Sequence, residues 1–72
     1  AVTGAEVSAV QRVPGGIEVR VWNPSEEPST LRITDGVGWV VDLRGHPVRP
    51  FEGETALGKW EILTIRMPHL PA

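Results

Sequence analysis

The stretch Gly16-Ile17-Glu18-Val19-Arg20-Val21-Trp22-Asn23-Pro24-Ser25-Glu26-Glu27-Pro28 decides the fold class of this chain. Ile17, Val19 and Val21 alternate with Glu18, Arg20 and Trp22, so one row is apolar and the other is polar or amphipathic. A period of two places successive side chains on opposite faces, which is the pattern of a half-buried β-strand and not of a helix. Asn23-Pro24 then stops the ladder: proline has no N–H to donate, and asparagine bonds its own backbone in turns.

Short strands separated by turn residues continue on both sides. Upstream, Glu6–Val13 reads as a strand and Pro14-Gly15-Gly16 as a turn. Downstream, residues 29–34 alternate again, with Leu31 and Ile33 inward and Thr30, Arg32 and Thr34 outward. Asp35-Gly36 is a tight-turn dipeptide of the hairpin kind. Residues 39–43 read as a fourth strand, with Trp39, Val41 and Leu43 on the core face. Residues 44–54 are irregular and proline-containing, and read as the longest loop. A short strand at 55–57, a turn at Gly58-Lys59 and a long strand at 60–67 follow, and Pro68 and Pro71 end the structured part. In that last strand Leu63, Ile65 and Met67 form one apolar row, with Trp60 and Ile62 on the other. That is the pattern of a central strand covered on both faces, or of a bulged register. No segment carries apolar residues at helical spacing. About six short strands therefore predict an all-β fold, a small antiparallel β-sandwich of the Ig-like or Greek-key type, with residues 1–72 as one domain.

A 72-residue chain has room for one modest core, and chains of this size lean on a disulfide, a metal or a partner surface. There is no cysteine, and the two histidines, His46 and His69, are far apart and lack the company a metal site needs. The remaining stability is expected from packing against something else. The net charge of −2 is interleaved along the chain and makes no basic stripe, so nucleic acid is not an expected partner. No apolar run reaches membrane-spanning length, and the first residues lack the layout of a signal peptide. Lys59 is the sole lysine, a bias typical of GC-rich bacterial genomes, and the expected location is the cytoplasm.

Catalysis is not expected from this chain. Glu26, Glu27, Asp35 and Asp42 sit on turns or outward positions, and a glycosidase pair needs two carboxylates held across a cleft deeper than so thin a domain offers. Gly15-Gly16 opens no helix and is not a phosphate loop. Catalytic, metal and cofactor residues are expected to be absent. Of the three tryptophans, Trp39 and Trp60 read as core, whereas Trp22 shares the outward row with Glu18 and Arg20. Trp22, Arg20 and, in the proline-containing segment, Arg49 are the candidate interface or sugar contacts. Packing on a neighbouring domain is the favoured role, and a sugar-stacking platform at Trp22 or an oligomerisation surface is the alternative.

From Gly4 to Met67 the order of strands and turns resembles the C-terminal β-sandwich domain of glycoside hydrolase family 38 α-mannosidases. The specific part is Arg20-Val21-Trp22-Asn23-Pro24-Ser25-Glu26-Glu27-Pro28. Val7-Ser8-Ala9-Val10-Gln11-Arg12 before it and Lys59-Trp60-Glu61-Ile62-Leu63-Thr64-Ile65-Arg66-Met67 after it fall in the expected places. The chain departs from the family pattern at Trp22, where tyrosine is common, and at Gln11, where lysine is. The resemblance implies an accessory domain that packs on other domains of the same enzyme. It also implies that the family's zinc and aspartate nucleophile belong to another domain, since no residue here corresponds to them. By the same resemblance, residues 44–54 are the segment long enough to reach toward a neighbouring active site.

Overall fold

A computed structural model describes residues 2–69; Ala1 and residues 70–72, Pro71 among them, lie outside the described residues. The protein is all-β, as two antiparallel sheets facing one another across a core. Eight strands form among the described residues: β1 (Val2–Thr3), β2 (Glu6–Val13), β3 (Gly16–Trp22), β4 (Ser29–Ile33), β5 (Gly38–Val41), β6 (Pro47–Phe51), β7 (Glu54–Leu57) and β8 (Ile62–Met67). The small sheet has the order β1-β4-β7 and the large one β2-β3-β8-β5-β6. No helix of the described residues is long and apolar enough to cross a membrane.

The alternating rows do what their period requires. Val19 and Val21 of β3 are buried, in register with Ile65 and Leu63 of β8. From the opposite sheet, Leu31 and Ile33 of β4 and Leu57 of β7 meet them, and Phe51 and Val40 close one side. Phe51, Leu31, Leu57 and Ile65 are essentially inaccessible to solvent. Burial of each such side chain contributes roughly 1.5–3 kcal/mol, which is most of what holds so small a domain together. β2 and β3 join through Pro14-Gly15, where Gly15 takes φ +85°, the left-handed conformation that a proline-first tight turn demands of its second residue. At Gly38 the chain passes so close to β8 that an added Cβ would overlap the Arg66 carbonyl.

Four expectations change. Residues 47–51 are not loop: they form β6, hydrogen-bonded to β5, and leave no long excursion in 44–54 to reach a neighbouring site. Pro47 and Pro50 are tolerated because β6 is an edge strand with one unpaired side. Asp35-Gly36 is not the tip of a hairpin. Asp35 takes φ +59° and the Gly36 N–H donates to the Ile33 carbonyl, turning the chain from the small sheet into the large one. The inward residue of β5 is Val40, opposite Ile65, so Trp39 faces outward and Leu43 lies beyond the strand, fully exposed. Trp60 is not in β8. It occupies the preceding turn at φ +60° and is half exposed, so neither Trp39 nor Trp60 belongs to the core.

Candidate functional site

The most specific piece of the sequence has a structural task. Asn23 is 2% exposed. Its side-chain amide donates to the carbonyls of Glu27 (2.8 Å) and Gly58 (3.1 Å), with Leu57 O at 3.4 Å. Its Oδ1 accepts from Ser25 N at 3.0 Å, and its backbone N–H donates to Glu61 O. Ser25 Oγ in turn accepts from Glu27 N, so residues 23–27 are an Asx turn followed by a serine turn. One buried amide thus ties the turn after β3 to the turn before β8. The Gly58 N–H to Glu61 Oε1 bond (2.7 Å) closes the second turn and holds Trp60 at the surface.

Two surfaces remain that this architecture does not use. The first is β2. Its residues Val7, Val10 and Arg12 lie opposite Val21, Val19 and Ile17 and so face the same side as the core, yet Val7 and Val10 are 46% and 52% exposed. Neither belongs to the core cluster. The register shift between Val7 and Ala9 is a bulge at Ser8, a device that bends an edge strand.

The second surface is the outer face of the large sheet. At one end Trp22 lies between Glu6 and Ile62 on the neighbouring strands. Trp22 is half-buried, and Ile62 is 62% exposed. A shallow depression of about 400 Å³ beside them is lined by Arg20, Val41, Leu43, Ile62 and Thr64. Across the middle runs an ion pair between directly opposed residues, with Arg66 Nη2 2.6 Å and Nε 3.1 Å from Glu18 Oε2. At the far end Trp39 stands between Arg66 of β8 and Pro50 of β6, beside a cavity of about 510 Å³.

Of the residues singled out from sequence, Trp22 and Arg20 share this outer face. Arg49 does not join them: it lies opposite inward-facing Val40, and its Nη2 donates to Thr55 Oγ1 (3.0 Å) of the other sheet. Sequence reasoning missed Val7 and Val10, whose strand looked like any other half-buried strand, and Trp39, whose neighbours Val40 and Val41 hide its facing.

Among the titratable groups Asp42 is distinct. Its Oδ1 accepts from His46 N (2.9 Å) and Arg44 N (2.8 Å), and the His46 ring lies 3.9 Å from Oδ2. The hydrogen bond from His46 N is the largest of the causes and lowers its carboxyl below the usual range; desolvation, next in size, opposes it, and the bond from Arg44 and the charge of His46 then add to the lowering. This is the chemistry of a capped turn. Among the described residues, no group of three or more His, Cys, Asp or Glu side chains converges on one point. Comparison with protein-family models, curated proteins and solved structures finds no match to this chain.

Proposed function

We propose that this chain is a non-catalytic β-sandwich domain that packs on other domains of an α-mannosidase-like glycosidase and supports its catalytic core. The observation that carries the proposal is β2, an eight-residue strand with its inward row of Val7 and Val10 left half in water. A sandwich normally covers that row with its second sheet, and here β1-β4-β7 does not. Covering the exposed half of each valine is worth roughly 1 kcal/mol apiece, a useful increment for a domain of this size. The glycosidase assignment itself rests on the resemblance of residues 4–67. Asn23, in its most specific stretch, organises the two turns at one end of the domain.

The test is reconstitution. The polypeptide encoded upstream of Ala1 is produced without this domain and mixed with the 72-residue chain. A one-to-one complex is expected, more heat-resistant than either part, with all aryl α-mannoside hydrolysis residing in the upstream part. Val10→Asp should abolish the complex while leaving the isolated chain folded, because Val10 is half exposed within it and lies outside the core cluster. An upstream frame without a metal-binding catalytic domain, or aryl α-mannoside turnover by the 72-residue chain alone, would refute the proposal.

A further inference from the structure

We infer that the cavity beside Trp39 is a binding site for a neutral pyranoside, stacked on the indole face. The site is separate from Val7 and Val10, and it stands whether or not that surface packs on a neighbour. Three observations carry it. Trp39 is 48% exposed although it sits in the interior of the large sheet, hydrogen-bonded through β5 to strands on both sides. Its backbone is therefore held on both sides, and the indole projects from a fixed point of the sheet instead of from a loop. Next to it the cavity wall is open at Gly15, where an added Cβ would meet nothing within 4 Å, and Gly38 brings the backbone of β5 close against β8.

The polar groups at the rim define the ligand. Arg66 and Glu52 both line the cavity, together with Pro50 and Met67. The Arg66 guanidinium is aimed by its two bonds to Glu18, which use two of its five N–H donors. Glu52, outside any strand, is exposed and offers a carboxylate acceptor. A cation would be drawn to Glu52 but opposed by Arg66, and an anion the reverse. A neutral polyol suits both, because a hydroxyl donates to the carboxylate and accepts from the guanidinium. Its C–H face meanwhile covers the indole, the combination of one apolar wall and a few placed polar groups that small-molecule sites use. Trp22, half-buried between Glu6 and Ile62, lines neither this cavity nor the depression beside Ile62.

The experiment titrates the 72-residue chain with methyl α-D-mannopyranoside, methyl α-D-glucopyranoside and mannotriose. It follows tryptophan emission and the amide and indole N–H signals by NMR. At least one of these sugars should give saturable shifts confined to Gly38, the Trp39 indole, Glu52 and Met67. Trp39→Ala should weaken binding about tenfold, the loss of one aromatic contact of roughly 1.4 kcal/mol. Trp39→Phe should retain part of the affinity, and Trp22→Ala should leave it intact. If Trp39→Ala fails to fold, the shift map of the unmodified chain decides alone. Absence of saturable shifts with all three sugars up to their solubility would overturn the inference, as would shifts centred on Trp22 or Trp60.

Discussion

Replacing Asn23 tests the architecture most directly. Asn23→Ala removes two good amide-to-carbonyl bonds, to Glu27 and Gly58, and the bond that Oδ1 accepts from Ser25. At about 1 kcal/mol net for each, the three bonds amount to about 3 kcal/mol. The Leu57 and Gly58 carbonyls also lose a donor in a region where water has little access, which raises the expected loss to about 3–4 kcal/mol. A domain of this length has roughly 4–11 kcal/mol in total, so the variant should be near the edge of stability. At about 4–8 °C per kcal/mol, its melting temperature should fall by roughly 12–30 °C, read by circular dichroism. Asn23→Asp separates this mechanism from simple loss of volume. It keeps the size of the side chain but turns an acceptor toward three carbonyls, so at neutral pH it should be less stable than the alanine variant. In acid, protonation restores one O–H donor and part of the loss should be recovered. An aspartate variant as stable as the original at pH 7, or an alanine variant within about 1 kcal/mol of it, would refute the reasoning.

At Trp60 the left-handed backbone reverses the usual ranking: Trp60→Gly should exceed Trp60→Ala in stability by about 1 kcal/mol in urea denaturation, whereas alanine wins at ordinary positions. Equal stabilities would mean that the turn relaxes out of φ +60°. Gly38→Ala drives a methyl group into the Arg66 carbonyl and should cost about 1–3 kcal/mol or more by parting β5 from β8; an unchanged urea midpoint would contradict the close approach. The folded-state carboxyl of Asp42 lies below its unfolded value near 3.8, so its contribution to stability is present above that pH and is lost as pH falls through the folded value. Asp42→Asn should therefore flatten the acid limb of the stability–pH curve, and two parallel curves below pH 4 would contradict the assignment.

Periodicity alone determined strands at 17–22 and 29–34, within a residue of the observed Gly16–Trp22 and Ser29–Ile33, and the inward rows Val19-Val21 and Leu31-Ile33, because a strict apolar–polar alternation leaves one parity for a core. It also marked the turn at Asn23-Pro24. Where alternation failed, the sequence had no parity to offer. Trp39-Val40-Val41 is apolar throughout, and only pairing with Ile65 made Val40 the inward residue and left Trp39 at the surface. The prolines of 47–51 signalled a loop, but an edge position needs no N–H on its free side, and that position exists only once β5 is placed. Asp35-Gly36 fitted a hairpin by composition, yet β4 and β5 belong to different sheets, a choice made by their distant partners β7 and β8. The surface argued here to pack on a neighbour has the same origin. Glu6–Val13 reads as an ordinary half-buried strand, and nothing in its residues states that the second sheet stops short of it. Burial is a property of what lies opposite, and that is settled by tertiary structure.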